Sequence, residues 1–304
     1  MFISIVWFIN ALVTISFAKE CGLANLSEDK AFPWNIDVYE ITNTNEYEYV
    51  CSGTVLSSKL ILTVASCLYS TKNNSNKFSI NAGQKYKTWN PRSALQEISI
   101  NNVVKPQKYL SGKHADNIAI IKLDNGKIIN LEPVCVNWDN EFVDLAEIDP
   151  EQLQMGAWSI GKNGTYKIVQ PSFLDLDSCK YYLSAKRKEQ FLTYDKSCLQ
   201  LNGLLILYSL HELIYLLQLL DVNVAPSIGT GVYVFNANTK KWFLIGITSE
   251  VTVGESSLYI SYIIVNTHLN WISNLINYLF RFTFNHIVAD IAFACAALFV
   301  REIK

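Results

Sequence analysis

Several signatures of common protein classes are missing from this 304-residue chain. The net charge is -2, and no cluster of Lys and Arg alternates with aromatic residues, which excludes the electrostatic footprint of a nucleic-acid-binding protein. No CxxC or HxxxH spacing occurs, so no zinc site is expected. Internal repeats and low-complexity segments are also missing, and half of the residues are hydrophobic. This composition favours one large domain, or two small barrels that share a core, over a disordered chain.

The N-terminal stretch, MFISIVWFINALVTISFAKE, has an apolar run followed by Ser16-Phe17-Ala18, a spacing that signal peptidases accept. No Lys or Arg precedes the run, which is atypical of a signal peptide, but the run is short and no basic stop-transfer flank follows it. The sequence therefore predicts a signal peptide over residues 1–18 and a secreted, extracellular protein. Three glycosylation sequons, at Asn25, Asn73 and Asn163, agree with secretion.

Seven cysteines are spread along the chain, at positions 21, 51, 67, 135, 179, 198 and 295. In an oxidising compartment, cysteines with such spacing pair more often than they bind metal. Between Pro33 and Trp271 the pattern consists of short apolar or alternating runs, such as WNIDVYEI, FSINAG and WFLIGITSE, separated by Asn, Gly, Ser and Lys. This spacing of short strands predicts an all-β barrel or sandwich.

Two apolar segments break the strand pattern. Residues 204–220, LLILYSLHELIYLLQLL, would be apolar around nearly the whole circumference of a helix. Residues 277–304 form an apolar tail that Arg281, His286 and Asp290 interrupt. A spanning helix needs about 20 predominantly apolar residues. The first segment is interpreted as a buried or interfacial helix, whereas the tail fits a packed terminus and a weak membrane anchor equally well.

The segment CSGTVLSSKLILTVASC, residues 51–67, resembles the first barrel of trypsin- and chymotrypsin-like serine proteases, where a cysteine, a small-residue turn, a strand and LTAAHC follow in this order. Other segments resemble the family in the family's own order, and together they cover most of Ala31 to Ile272. They are AFPWNIDVY, DNIAIIKL, LEPVCVNW, WFLIGITSE and SLYISYIIVNTHLNWI. An ordered set of this kind is much more specific than one match.

The resemblance implies an all-β fold of two six-stranded antiparallel β-barrels with a short C-terminal helix. It also implies three disulfide bonds, Cys51–Cys67, Cys21–Cys135 and Cys179–Cys198, with Cys295 left over in the tail. The expected organisation is a signal peptide at 1–18, a short pro-segment at 19–30, a protease-like domain at 31–276 that includes the insert 204–220, and the tail 277–304.

The residues that match the family's catalytic triad cannot perform its chemistry. Ser66 stands at the position of the histidine, Asn117 at that of the aspartate and Ile228 at that of the nucleophilic serine. A serine nucleophile needs an imidazole to take its proton and a carboxylate to orient that imidazole. An alignment shifted by one residue would make Ser227 the nucleophile with Asp116 nearby, but it still supplies no base. His114, His211, His268 and His286 are all interpreted as exposed or structurally satisfied histidines.

Further positions that match functional residues of the family have also changed. Pro226 replaces the glycine whose N–H faces the oxyanion, and proline has no N–H. Ser227 replaces the aspartate that pairs with the new N-terminus after activation, and the upstream NLSEDKAFPW contains no Arg/Lys-Ile-Val-Gly-Gly cleavage site. Ser249, Glu250 and Val251 replace the family's Ser-Trp-Gly, so their side chains are predicted to intrude where a substrate peptide docks.

These changes predict a secreted, non-catalytic serine protease homologue that acts by protein binding, as a cofactor, decoy or regulator in an extracellular protease cascade of the immunity, clotting or venom type. Two alternatives stay open: an active trypsin-like endopeptidase with an aberrant site, and a membrane-tethered surface or adhesion protein that uses the C-terminal tail. No cofactor and no metal is expected, since KFSINAGQKYK, residues 77–87, lacks the carboxylates of a calcium loop. The expected partner is a protein, such as a protease or another cascade component.

Overall fold

The computed structural model describes residues 21–24, 31–69, 77–123, 131–138, 148–159, 164–182, 191–202, 224–253 and 257–276. Several predictions concern residues outside these ranges. They are the signal peptide, the sequons at Asn25, Asn73 and Asn163, the insert 204–220, Cys295 and the tail 277–304. Among the described residues, no helix combines the length and the apolar character needed to cross a membrane.

The first part of the chain forms an antiparallel sheet of seven strands. In chain order they are β1 (Asn35–Ile41), β2 (Tyr47–Ser57), β3 (Leu60–Thr63), β4 (Lys77–Ala82), β5 (Ala94–Ser99), β6 (Val103–Val104) and β7 (Ala119–Lys122). The order across the sheet is β5-β4-β1-β2-β3-β7-β6, so β1 lies between β4 and β2. A short helix, α1 (Ser66–Tyr69), follows β3 almost directly.

The later part of the chain forms a second sheet of nine strands. They are β8 (Cys135–Val136), β9 (Leu153–Ser159), β10 (Tyr166–Val169), β11 (Ser172–Leu174), β12 (Lys196–Asn202), β13 (Val224–Pro226), β14 (Gly231–Asn236), β15 (Lys241–Val253) and β16 (Ser257–Ile264). The main order is β10-β9-β14-β15-β16-β12-β11. In addition, β13 pairs with β9, and the two-residue β8 pairs in parallel with β15.

Helical structure is limited. Helix α2 (Leu176–Tyr182) connects β11 towards β12. Short 3-10 helices occupy Pro91–Ser93, Ile100–Asn102, Pro150–Gln152 and Val265–His268. The last of these is followed by helix α3, residues 269–276. The residues divide into two compact units, Met1–Val265, which contains both sheets, and Asn266–Lys304, which contains α3.

Alternation along β1 explains how the first sheet is built. Ile36 and Val38 are fully buried on one face, where a Cβ on Gly53 would lie 2.9 Å from a side-chain atom of Ile36. The polar residues Asn35 and Asp37 lie on the other face, whereas Glu40 shares the face of Ile36 and Val38, and all seven residues of the strand are buried. That second face is covered by the other sheet, as shown by the 2.9 Å hydrogen bond between the hydroxyls of Thr54 and Tyr233.

Apolar packing supplies the stability of each sheet. The second sheet has its own core of buried side chains, which includes Leu153, Met155, Leu199, Val232 and Ile260. Each fully buried side chain of this size contributes about 1.5–3 kcal/mol relative to exposure. The large buried rings of Phe32, Trp34 and Tyr233 form a further aromatic group, with the centroids of Phe32 and Tyr233 4.6 Å apart.

Three disulfide bonds join the three pairs that the resemblance implies: Cys21–Cys135, Cys51–Cys67 and Cys179–Cys198. The first bridge attaches residues 21–24 to β8. Gly22 strengthens this attachment, because its N–H donates to Pro133 O (2.8 Å) and its carbonyl accepts from Trp242 N–H (3.0 Å). Gly22 has φ +68°, and a Cβ there would lie 2.4 Å from Trp242 O, so only glycine fits.

The predicted all-β fold with a short C-terminal helix is confirmed, as two curled antiparallel sheets. The sheets contain seven and nine strands instead of six each. Four strands of only two or three residues, β6, β8, β11 and β13, account for the difference.

Candidate functional site

The positions that match the histidine and the aspartate are brought together by the pairing of β3 with β7. These strands are antiparallel, with Thr63 opposite Ala119. Ser66 lies three residues after Thr63, and Asn117 lies two residues before Ala119, so both residues leave the sheet at the same end. A backbone hydrogen bond from Ala65 N–H to Asn117 O (3.3 Å) closes this corner.

Ser66 and Asn117 are joined by two side-chain hydrogen bonds. The backbone N–H of Ser66 donates to Oδ1 of Asn117 over 2.7 Å. The Nδ2 amide of Asn117 donates to Oγ of Ser66 over 3.0 Å. Asn117 is only 4% exposed, so its amide is fixed against α1. Both side chains are neutral, and the pair contains no group that takes up a proton near neutral pH.

Ile228 lies in a tight turn between β13 and β14. Its carbonyl accepts from Ser52 N–H (2.9 Å), Gly229 N–H donates to Thr248 O (2.8 Å), and Thr230 N–H donates to Ser227 O (3.1 Å). Gly229 has φ +85°, and a Cβ there would lie 2.1 Å from Ser52 O. The turn therefore lies in close contact with β2, and only glycine at position 229 allows this contact without strain. The Ile228 side chain is 40% exposed and presents only hydrocarbon.

Thr63 connects this turn to α1. Its hydroxyl donates to Ser52 O (2.7 Å), and Ser52 holds the carbonyl of Ile228. The same hydroxyl lies 3.8 Å from Sγ of Cys67, the residue after Ser66. Ser66 and Asn117 are thus in direct contact, and Ile228 is connected to Cys67, the neighbour of Ser66, through Ser52 and Thr63.

The positions that match the oxyanion site lie immediately before the turn. Pro226 is the last residue of β13 and is buried opposite Ala157 of β9. Because proline has no N–H, this position offers no hydrogen bond to a developing oxyanion. Ser227, the candidate nucleophile of the shifted alignment, is 7% exposed.

The strand that matches the substrate-binding strand is the last part of β15. The β15–β16 register shifts between Thr248 and Glu250, which makes Ser249 a bulge residue, and Ser249 is 2% exposed. Oε1 of Glu250 accepts from Nζ of Lys196 and lies 3.1 Å from Nδ1 of His114. Val251 packs against the core of the second sheet. The Glu250 carboxylate is therefore tied to two residues far away in sequence.

Lys196 is a buried cation in this arrangement, with a side chain that is 0% exposed. Burial lowers the pKa of Lys196, and the Glu250 carboxylate opposes that shift. The partly buried salt bridge satisfies a charge that would otherwise be costly.

Asp116 has a structural role. It adopts φ +54°, its N–H donates to Oδ2 of Asp195 (2.8 Å), and its carboxylate accepts a hydrogen bond from the hydroxyl of Tyr194. Asp195 also accepts from the hydroxyl of Thr193 (2.6 Å). Both carboxylates therefore have protein donors, and they fix the loop before Asn117 to the segment before β12. This role has no signal in the sequence, because the partners are 79 residues apart.

Asp37 of β1 is a second acidic residue that sequence reasoning does not single out. It is fully buried, and burial raises its pKa to about 7, against the opposing effects of the Ser52 hydrogen bond and of Lys87. Oδ1 of Asp37 accepts from Oγ of Ser52 (3.0 Å), the residue that holds Ile228. The available signal was its position between Asn35 and Tyr39 on the polar face of a strand.

The two curled antiparallel sheets and the short C-terminal helix define a trypsin-like double-barrel fold. The trypsin family model matches residues 25–172, which cover the first sheet and the beginning of the second. A modular serine protease of Drosophila melanogaster is 19% identical over 171 residues, which are 53% of this chain and 27% of that protein. The match thus spans about a quarter of the relative's length. Residues 25–172 of this chain thus belong to the trypsin-like serine protease family.

Proposed function

We propose that this protein is a secreted, non-catalytic member of the trypsin-like family that acts by binding other proteins, as a cofactor, decoy or regulator in an extracellular protease cascade. The observation that carries the proposal is the Ser66–Asn117 pair. At the places where the family has its base and its orienting carboxylate, two neutral side chains bond to each other.

Acyl transfer needs chemical groups that the residues at these positions do not have. A serine hydroxyl attacks an amide only when a base takes its proton and donors stabilise the oxyanion. Ser66 and Asn117 supply no base, Ile228 supplies no hydroxyl, and Pro226 supplies no N–H. Loss of triad members reduces turnover by many orders of magnitude, and what remains in this family comes from the oxyanion hole and from binding.

Secretion is supported by chemistry that suits an oxidising compartment. The six described cysteines are all in disulfide bonds, which persist outside the cytosol. They agree with the apolar N-terminal run and with the three sequons.

A binding role is supported by exposed apolar and aromatic side chains on a framework that disulfides constrain. Ile228 is exposed at the turn that replaces the nucleophile, and Tyr181 is 82% exposed on α2. Tyr182 is also exposed and stacks on Tyr259 with ring centroids 4.9 Å apart. Tyrosine is enriched among the residues that dominate protein interfaces. The curated relative is named a serine protease, and we propose that the partner of this chain is a protease or another component of such a cascade.

The decisive experiment is the intact mass of the secreted protein before and after exposure to a serine-reactive fluorophosphonate. The expected result is an unchanged mass, with an active trypsin-like protease labelled in parallel as the positive control. A stoichiometric adduct that heat denaturation abolishes would contradict the proposal, because it would reveal an activated serine and a recruited base.

A second measurement tests the binding role. The secreted protein is added to a purified trypsin-like cascade protease with its zymogen substrate, and the rate of zymogen conversion is followed. A saturable change in the conversion rate is expected. If the turn lies in the interface, the variant Ile228→Glu should cause a smaller change than the wild-type protein. If the rate of every cascade step tested stays the same, the regulatory role is wrong, whatever the labelling result.

A further inference from the structure

A row of polar side chains crosses three strands of the first sheet at Asp37. In the β1–β2 ladder Asp37 lies opposite Ser52, and in the β1–β4 ladder it lies opposite Asn81. Directly opposed residues in antiparallel strands project from the same face, with Cβ atoms about 4.5–5.5 Å apart. Ser52, Asp37 and Asn81 therefore form a continuous row, and each of the three is at most 1% exposed.

The hydrogen bonds of this row are incomplete at one place. Oγ of Ser52 donates to Oδ1 of Asp37, and Nδ2 of Asn81 donates to Asn90 O over 2.9 Å. Oδ2 of Asp37 and Oδ1 of Asn81 are buried without a hydrogen-bond partner. Two acceptors thus remain on opposed side chains, and a buried acceptor without a donor destabilises the folded state.

Rotation of the Asn81 amide does not solve this problem. If its oxygen and nitrogen exchanged places, Oδ1 would face the carbonyl of Asn90, which is also an acceptor. The orientation with Nδ2 towards Asn90 is therefore fixed. The side chain of Asn35 also hydrogen-bonds the Asp37 carboxyl, and Oδ1 of Asn81 still has no donor. Asp37, which lies opposite Asn81, can supply that donor, because a carboxyl group donates when it carries a proton.

We propose that Asp37 carries a proton on Oδ2 and donates it to Oδ1 of Asn81, and that this buried proton holds the turn 227–230 in place. The proton completes both side chains and leaves Oδ1 of Asp37 free to accept from Ser52. Tyr49 then donates to Ser52, because their hydroxyls lie 2.9 Å apart.

The row reaches the turn by two routes. Ser52 N–H donates to Ile228 O (2.9 Å), and the hydroxyl of Thr230 donates to Oδ1 of Asn35 (3.5 Å), two residues before Asp37 on the same face. Loss of the proton places a negative charge and two opposed acceptors beneath these contacts. The turn is then expected to loosen.

The groups that face Asp37 agree with a proton held near neutral pH. Burial raises the pKa of Asp37 to about 7, although the hydrogen bond from Ser52, the charge of the partly buried Lys87 and the hydrogen bond from Asn35 all oppose the shift. Nζ of Lys87 lies 4.5 Å from the ring centroid of Tyr49. The phenols of Tyr39, Tyr49 and Tyr166 stay neutral because burial raises the pKa of each. A carboxyl whose pKa is raised in the folded state stabilises the fold below its unfolded pKa near 3.8, and the stabilisation is lost as pH rises to about 7.

The direct test is an NMR titration of the Asp37 carboxyl carbon in the full secreted chain, with selective aspartate labelling and Asp37→Asn for assignment. A midpoint near pH 7 is expected. Two variants give opposite predictions: Asn81→Ala removes the acceptor of the proton and lowers the midpoint, whereas Ser52→Ala removes a donor to the carboxylate and raises it. A midpoint in the ordinary range of aspartate, or shifts in the same direction for both variants, would overturn the proposal.

The link to the turn is tested by hydrogen–deuterium exchange of peptides that cover 226–234, corrected for the intrinsic effect of pH. Protection is expected to fall about tenfold between pH 6 and pH 8. Over this interval the folded carboxyl keeps its proton for about one pH unit, and each such unit lowers the opening equilibrium's preference for the closed turn by about a factor of ten. The fall should disappear in Asp37→Asn and persist in the control Asp177→Asn, whose carboxylate is exposed on α2. If the fall is equal in both variants, or missing in the wild-type protein, Asp37 does not control the turn.

Discussion

Asn117 binds Ser66 through both ends of its side-chain amide, so that one residue satisfies both the backbone N–H and the hydroxyl of the other. This arrangement is a structural cap at the start of α1.

The change Asn117→Ala tests the structural value of this cap. Removal of the amide leaves the partly buried N–H of Ser66 without its acceptor, and the free energy of unfolding is expected to fall by about 1–2 kcal/mol. Urea denaturation measures the difference. The control is Asn101→Ala at an exposed position, which should change stability little. Equal losses in the two variants would contradict the role of the Asn117 amide.

Restoration of the triad alone should give a poor enzyme. In the triple variant Ser66→His, Asn117→Asp, Ile228→Ser, Pro226 still has no N–H to donate to the oxyanion. Removal of one such donor lowers the catalytic rate by about 10²–10³-fold. Addition of Pro226→Gly is expected to raise the rate of fluorophosphonate labelling by about 10²-fold over the triple variant. Equal labelling rates with and without this fourth change would show that position 226 is not part of an oxyanion site.

Two glycines share a left-handed backbone conformation but differ in the space around them. A comparison of their alanine variants therefore distinguishes the cost of a steric clash from the cost of the backbone conformation. Gly229 (φ +85°) would place a Cβ 2.1 Å from Ser52 O, whereas Gly112 (φ +82°) would meet nothing within 4 Å. Gly112→Ala should cost about 1–2 kcal/mol from the left-handed conformation alone. Gly229→Ala should cost at least about 2 kcal/mol more, because the turn has to move away from β2. Thermal unfolding of both variants checks the difference, and similar melting temperatures would refute the close contact.

Glu250→Gln tests the salt bridge at the end of β15. The change leaves the buried Nζ of Lys196 without its 3.1 Å carboxylate partner, so the free energy of unfolding is expected to fall by about 1–3 kcal/mol. The fall is smaller than for a fully buried pair because the Glu250 side chain is 30% exposed. Asp177→Asn removes the corresponding charge from the exposed pair with Lys180 and serves as the matched control. The prediction fails if chemical denaturation gives the same small effect for both variants.

Sequence reasoning predicts the fold well because the strands repeat the alternation and the order of a known family. The cysteine pairs and the positions that match the triad followed from that resemblance. The pairing of β3 with β7 explains why Ser66 and Asn117 are in contact. The fold is specified by many weak signals that agree, so a few positions that depart from the family's pattern do not hide it.

Asp37 shows why the remaining features could not be predicted. In NIDVYEI the alternation of polar and apolar residues indicates a strand with one face in water, but the polar face of β1 is covered by the second sheet. Glu250 illustrates the same limit, since its partners His114 and Lys196 are 136 and 54 residues away. Contacts over such distances depend on how the sheets pack, which no local pattern specifies.

The Cys21–Cys135 bridge has a consequence for any cut made in the chain between these two residues, which are 114 positions apart. A single nick in that interval leaves two polypeptides that are still one covalent molecule. Its mass would rise by one water molecule and its migration on a non-reducing gel would hardly change, whereas reduction would release two fragments. A non-reducing gel would therefore miss such a cut, and samples have to be compared with and without a reducing agent.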